Sequence, residues 1–342
     1  MQIVFSEDHR LHFAQGELYG GEFVTPFERP SRMEYVLREL KTRGMLDLVP
    51  PRPLDMTPVH KVHDAKFLAF LATAWSEWVK AGFRGEILPT GFPARGMRQI
   101  EPRNIDGRAG YYALAMETCI TAGTWEAAVA SASVAQTAQL VISGGAPSAF
   151  ALCRPPGHHA HHDLYCGYCF LNNAAIAAQG FRDQGAARVA ILDVDFHHGN
   201  GTQDIFYERS DVLFCSLHGQ PEDAFPYFIG YKDETGRGMG EGHNFNYPMP
   251  PGTPYTQWGE ALEQACRKIA AYKPDVLIVS LGVDTYKDDP ISFFKLDSPD
   301  FTTYGTRIAK LKLPTLFVME GGYAIEAIGV NTVNVLDGFV NA

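Results

Sequence analysis

A chain of 342 residues with 46% hydrophobic content can bury one large core or two small ones, and no linker divides it, so one domain over 1–342 is expected. Its 29 Lys and Arg against 39 Asp and Glu give a net charge of -10 without a basic block, which argues against a nucleic-acid partner. No apolar run approaches the roughly 20 residues of a membrane span, and the N-terminal MQIVFSEDHR lacks a basic-then-apolar leader, so a cytoplasmic protein off the membrane is expected.

Short runs rich in Val, Ile and Leu at 2–5, 139–142, 188–194, 211–217, 275–281 and 314–319 read as buried parallel strands. Helical patterns lie between them, for example at 172–184 and 255–272, and the alternation predicts an α/β fold with helices on both faces of one sheet. The stretch 80–110 differs: six glycines, three prolines and five arginines leave no clean period, and it reads as a long surface excursion. Excursions of that length are functional or build an interface.

Four polar clusters follow strand-like runs, the edge at which open α/β sheets hold ligands. DVDFHHGN at 193–200 follows the apolar 188–192. In an extended segment alternate side chains share a face, so Asp193, Asp195 and His197 can point the same way and two of them can grip one cation. SLGVD ends on Asp284, which emerges from an apolar run and supplies a third ligand. An Asp/His/Asp set with open positions suits Zn(II), with Fe(II), Co(II) or Mn(II) as substitutes, in a hydrolytic site. RPPGHH at 154–159, after the apolar 149–153, holds His158 and His159 behind a rigid turn, as acid/base groups need. The neighbouring His161 and His162 read as solvated loop without a role. EGGY at 320–323 lets two glycines swing the Tyr323 hydroxyl over the site, where it can donate to an oxyanion. Taken singly, each cluster also has a bland reading: a polar strand end, a structural histidine pair, an ordinary turn. The six cysteines read as buried thiols; CGYC at 166–169 has redox or zinc-knuckle spacing, but no second Cys/His pair completes four ligands.

Together RPPGHHA, GYCFLNN, DVDFHHGNGTQ, SLHG, SLGVDTYKDDP and MEGGY, in that order, resemble the histone deacetylase superfamily and, within it, the bacterial acetylpolyamine amidohydrolases. The similarity spans nearly the whole chain from VFSEDH at 4–9 onward. It implies an open, mostly parallel sheet with helices on both faces, the arginase/deacetylase fold. It implies Asp195, His197 and Asp284 as ligands of one zinc ion per subunit, His159 as general base, His158 as electrostatic partner and Tyr323 as oxyanion donor. Asp193 would orient His158, and Asn200 would face His159. Many members carry an acid where Asn200 stands; a neutral partner leaves His159 less readily protonated, in keeping with a base.

The resemblance also puts Gly167, Tyr168, Phe225 and Ile291 along a substrate channel, with Asp106 and Glu117 as acidic groups near its mouth. Structural potassium is implied on carbonyls of Asp193, Asp195, His197, Ser216 and Leu217, and on those of Phe206, Arg209, Val212 and His243. The excursion 80–110 corresponds to the insertion with which that branch builds a homodimer and narrows the mouth. The implied reaction is zinc-dependent hydrolysis of acetyl amides to acetate and free amine. Small cationic substrates such as acetylputrescine, acetylcadaverine and acetylspermidine are expected, with acetyl-lysine protein deacetylation as the alternative. A two-manganese ureohydrolase of arginase type is disfavoured, because its Asp-x-His-x-Asp and Asp-x-Asp patterns here read DFHHG and GVD.

Overall fold

The computed structural model describes every residue from Met1 to Ala342. Its strands are β1 Gln2–Val4, β2 Glu17–Tyr19, β3 Glu22–Val24, β4 Leu48–Val49, β5 Ser148–Ala151, β6 Val189–Asp193, β7 Val212–Gly219, β8 Asn244–Met249, β9 Val276–Leu281 and β10 Thr315–Met319. Its helices are α1 Ser31–Thr42, α2 Met56–Val62, α3 Ala65–Lys80, α4 Ile105–Tyr111, α5 Thr124–Ser143, α6 Asn173–Asp183, α7 Asn200–Phe206, α8 Tyr255–Tyr272, α9 Ser298–Ala309 and α10 Ile328–Val340. No helix is long and apolar enough to cross a membrane.

Eight strands form one sheet in the order β4-β1-β5-β10-β9-β6-β7-β8, and every pairing in it is parallel. Parallel neighbours need crossovers, and helices covering both faces make the inner strands near-continuous apolar runs. β6, β9 and β10 are accordingly buried throughout. Successive side chains serve opposite layers: Val189 and Ile191 join the core under α2 to α7, whereas Ala190 and Leu192 join the core under α1, α8, α9 and α10. The expected α/β architecture is therefore present. β2 and β3 stand apart as an antiparallel hairpin.

The runs 188–194, 211–217, 275–281 and 314–319 match β6, β7, β9 and β10 to within two residues. The run 139–142 does not: it is the last part of α5, not a strand. Alanine-rich sequence before it propagates a helix through Leu140 to Ile142, and four apolar residues carry no period that separates strand from buried helix. The strand of that region is β5, entered after Gly145 at φ +100. Both edge strands escaped the apolar signal, β4 by its shortness and β8 by its buried Asn244 and Asn246 and by Pro248, which an edge tolerates.

The excursion 80–110 is less loose than its composition suggests, since α4 occupies its end. Ile87 bridges to Ile120, and Trp78 Nε1 donates to the Gly85 carbonyl at 2.8 Å. Gly110 packs so tightly that a Cβ would lie 1.7 Å from the Gly91 carbonyl oxygen. Between these anchors Met97 and Ile100 remain exposed, 61% and 56%.

A buried ion cluster ties the loops above the sheet together. Glu28 Oε1 accepts from Arg32 at 2.9 Å and from Arg154 at 2.8 Å, with all three side chains shielded from solvent. Arg154 also donates to the carbonyls of His9 and His12, and Arg32 to those of Gly322 and Glu320. Burial opposes ionisation of Glu28, yet Arg154 and Arg32 outweigh it and lower its pKa to about 2. Glu28→Ala should cost about 3–5 kcal/mol, because two buried guanidiniums lose their counter-charge. Denaturant unfolding checks this, and an unchanged midpoint would show that the cluster is not a staple.

Candidate active site

The carboxyl ends of four adjacent strands, β5, β10, β9 and β6, release RPPGHH, EGGY, GVD and DVDFHH into one region. There the ligand atoms of Asp195, His197 and Asp284 lie within 4.8 Å of one another, all three residues buried. Asp193 is not in that set, because β6 ends on it and its Oδ2 faces His158 Nδ1 at 3.0 Å. Backbone N–H groups orient the ligands: Gly321 to Asp195 Oδ2 at 2.8 Å, His197 to Asp195 Oδ1 at 2.9 Å, and Phe196 to Asp284 Oδ1 at 2.8 Å. Gly282 and Gly321 allow this approach, since a Cβ there would stand 2.0 Å and 2.6 Å from Asp195 Oδ2. Two carboxylates and an imidazole, buried and without a Lys or Arg counter-ion, have the donor chemistry of a three-ligand metal site. The set fits a metal cofactor.

His197, His159 and Tyr323 open onto a cavity of about 500 Å³. His159 Nδ1 is engaged by Asn200 Oδ1 at 2.5 Å, so Nε2 is the ring nitrogen left to act in the cavity. Burial, then the neighbouring His158 and His197, hold the His159 pKa well below that of a free imidazole. An unprotonated ring can accept a proton. His158 differs: burial opposes its charge, but Asp195 and Asp193 raise its pKa to about 10. A cation bound on Asp195 would take part of that pull away.

Gly167, Tyr168, Phe225, Ile291 and Glu117 all line the cavity. Asp106 does not: it sits in the first turn of α4, its N–H capped by Asn104. Glu17 and Asp223 add carboxylates to the lining, and no Lys or Arg is present there. Sequence reasoning missed Glu17, which accepts from the Tyr168 hydroxyl at 3.0 Å. It lies in β2, far from any motif. Asp289 was also missed: its Oδ2 accepts from the N–H of Tyr323 at 2.7 Å and its Oδ1 from that of Ile291 at 3.2 Å. Its position in DDP, just past the third ligand, was the available signal. Glu320 received no role either, yet its Oε2 accepts from the N–H groups of Gly157 and His158, and burial raises its pKa to about 7.

The reading of His161 as solvated loop is corrected, since its ring reaches Asn200 and is largely covered; His162 is exposed. Cys166 and Cys169 are free, buried thiols that donate to the carbonyls of His159 and Gly167. The carbonyl-bearing residues expected for potassium fall in two places. Asp193 and Ser216 are register partners on β6 and β7, with Asp195, His197 and Leu217 close along the chain. Phe206 ends α7 with its carbonyl on the Arg209 N–H, Val212 opens β7, and the His243 carbonyl accepts from Phe214 N.

The chain matches the histone deacetylase domain over residues 26–339. It is 56% identical over 339 residues to acetylpolyamine amidohydrolase 2 of Pseudomonas aeruginosa, covering 99% of this chain and 98% of that one. It is 55% identical over 338 residues to the acetylpolyamine amidohydrolase of Mycoplana ramosa, with 99% of both covered. The crystal structure of an acetylpolyamine aminohydrolase from Burkholderia pseudomallei superposes with a TM-score of 0.94 at 38% identity, covering 99% of this chain and 98% of that one. With the domain matched from before α1 to the end of α10, and relatives more than half identical over their full length, the chain belongs to the histone deacetylase family and is an amide-hydrolysing enzyme of it.

Proposed function

We propose that this enzyme deacetylates small acetylated amines, N-acetylated diamines and polyamines foremost, with one zinc ion held by Asp195, His197 and Asp284. The observation that carries the substrate class is the cavity lining: aromatic walls, the carboxylates of Glu17, Glu117 and Asp223, and no cationic side chain. An alkyl chain suits the walls Tyr168 and Phe225, and a distal ammonium suits the acids. The two relatives named acetylpolyamine amidohydrolase support the same class.

Zinc in this set supplies Lewis-acid polarisation of the acetyl carbonyl and lowers the pKa of water from 15.7 to about 7. The chain does the rest. His159, unprotonated and oriented by Asn200, takes the proton of the attacking water. The Tyr323 hydroxyl, which has no partner within the protein, donates to the developing oxyanion. A protonated histidine, His158 or His159, then returns a proton to the departing nitrogen, and acetate and amine result. Asp193 keeps His158 in register through its Nδ1. Glu117 is assigned the distal ammonium, and Asp106 reads substrate only if a second subunit brings it to the mouth.

The proposal includes a homodimer built on 80–110, where exposed Met97 and Ile100 offer apolar area, and a cytoplasmic location. It includes structural potassium on the two carbonyl groups near β6 and β7.

Tyr323→Phe should retain metal and lower kcat by roughly 10² to 10³, the effect of deleting one oxyanion donor; unaltered turnover would remove Tyr323 from the reaction. Across acetylputrescine, acetylspermidine and an acetyl-lysine peptide, the small amines should show the higher kcat/KM. A peptide value equal to the best of them would promote the protein deacetylase alternative. Without metal, burial opposes but Asp195 and Asp284 raise the His197 pKa to about 10, and burial and then Asp195 raise that of Asp284 to about 8. Ligands must shed those protons, so zinc uptake at neutral pH should release protons and tighten as pH rises through that range. Calorimetry in buffers of different ionisation enthalpy reads the release, and one zinc per chain is the expected stoichiometry.

A further inference from the structure

Asn200 faces His159 with one end of its side-chain amide and His161 and Cys166 with the other. Its Oδ1 lies 2.5 Å from His159 Nδ1. Its Nδ2 lies 2.6 Å from His161 Nε2 and 3.7 Å from Cys166 Sγ. An amide turned over would set a donor against His159 Nδ1 and drive the ring proton to Nε2, where catalysis needs a lone pair.

Two neighbours oppose that turn. Cys166 donates its S–H to the His159 carbonyl at 3.3 Å, so its sulfur offers lone pairs to Asn200. His161 Nδ1 stands 3.5 Å from the Asp204 carboxylate, an acceptor only, which sets the His161 proton on Nδ1 and the lone pair on Nε2. The backbone around His161 is pinned as well. Its N–H bonds the Leu164 carbonyl at 2.9 Å, its carbonyl accepts from His63 Nδ1 at 2.8 Å, and Asp204 takes the His162 N–H at 3.0 Å.

We propose that His161 is a positioning residue for the reaction, which fixes the Nδ1–H tautomer of His159 through the side-chain amide of Asn200. The donors run away from the cavity, His159 to Asn200 and Asn200 to His161, and His161 Nδ1 faces the Asp204 carboxylate at 3.5 Å. The amide transmits orientation and no proton. A neutral Asn needs this support because its two ends differ, whereas both oxygens of a carboxylate accept and either would hold His159 correctly. The inference rests on His159 as the base.

The test uses zinc-loaded full-length protein labelled with 15N-histidine. Wild type should show His159 as the Nδ1–H tautomer, and His161→Leu should shift it toward Nε2–H. In His161→Leu kcat should fall roughly 10-fold or more, with KM for acetylputrescine little changed. His161→Gln, whose Oε1 reaches the place of Nε2, should recover most of kcat, and thermal melting shows that both variants fold. In an Asn200→Asp background, whatever its own rate, His161→Leu should cost no further kcat. A wild-type tautomer and kcat in His161→Leu overturns the proposal, as does a Gln variant no better than Leu or an equal loss in the Asp background. Normal turnover in His159→Ala would instead overturn the choice of base, a separate failure with its own signature.

Discussion

Asp193, Asp195, Asp284 and Glu320 are fully buried at the ends of neighbouring strands, and taking four carboxyl groups out of water at one place is the constraint around which the site is built. Each is accommodated differently. Asp193 faces His158, while Asp195 and Asp284 share His197 and three backbone N–H groups. Glu320 accepts two N–H groups of the RPPGHH turn and titrates near neutrality, raised by burial. Once both are deprotonated, Asp195 and Asp284 carry negative charge that a bound metal ion would offset. The same residues therefore supply both the reason for a cofactor and its seat.

The mirror arrangement lies beside it, where two buried arginines share one glutamate. Arg32 uses its remaining donors on the carbonyls of Glu320 and Gly322, so the turn that presents Tyr323 is gripped from both ends, by Arg32 on its oxygens and by Asp289 on its N–H groups. In the proposed reaction a hydroxyl on a turn held this way would need little reorganisation as charge develops in front of it.

The sheet and the metal set were legible because both are written in contiguous residues. β6, β9 and β10 are buried at every position and mostly apolar, and Asp195, His197 and Asp284 follow closely on the first two. α5 was misread in part because its buried apolar end has the composition of a strand, and only the alanines before it reveal the helix. Glu17, Asp289 and His161 were illegible as actors for another reason. Their parts are defined by the Tyr168 hydroxyl, the Tyr323 amide and the Asn200 amide, partners brought near only by the fold. The departure at Asn200 was visible in sequence, but its contact with His161 was not, since a histidine two residues past His159 looks like any loop residue until its ring is seen against the amide.

The acidic lining of the cavity has a consequence for how a turnover ends. Cleaving an acetyl amide turns a neutral nitrogen into an ammonium, so the amine that leaves carries one more positive charge than the substrate that entered. Under the proposed reaction Asp223, and Glu17 and Glu117 where ionised, would hold the product more firmly than the substrate, and no cationic side chain lines the cavity to push it out. Acetate formed in that reaction would meet the opposite field from the same walls. Under the proposed reaction this sets an order of departure, anion first and amine last, and moves the slow step of the cycle from bond cleavage toward escape of the amine, which dissolved salt hastens by screening the walls.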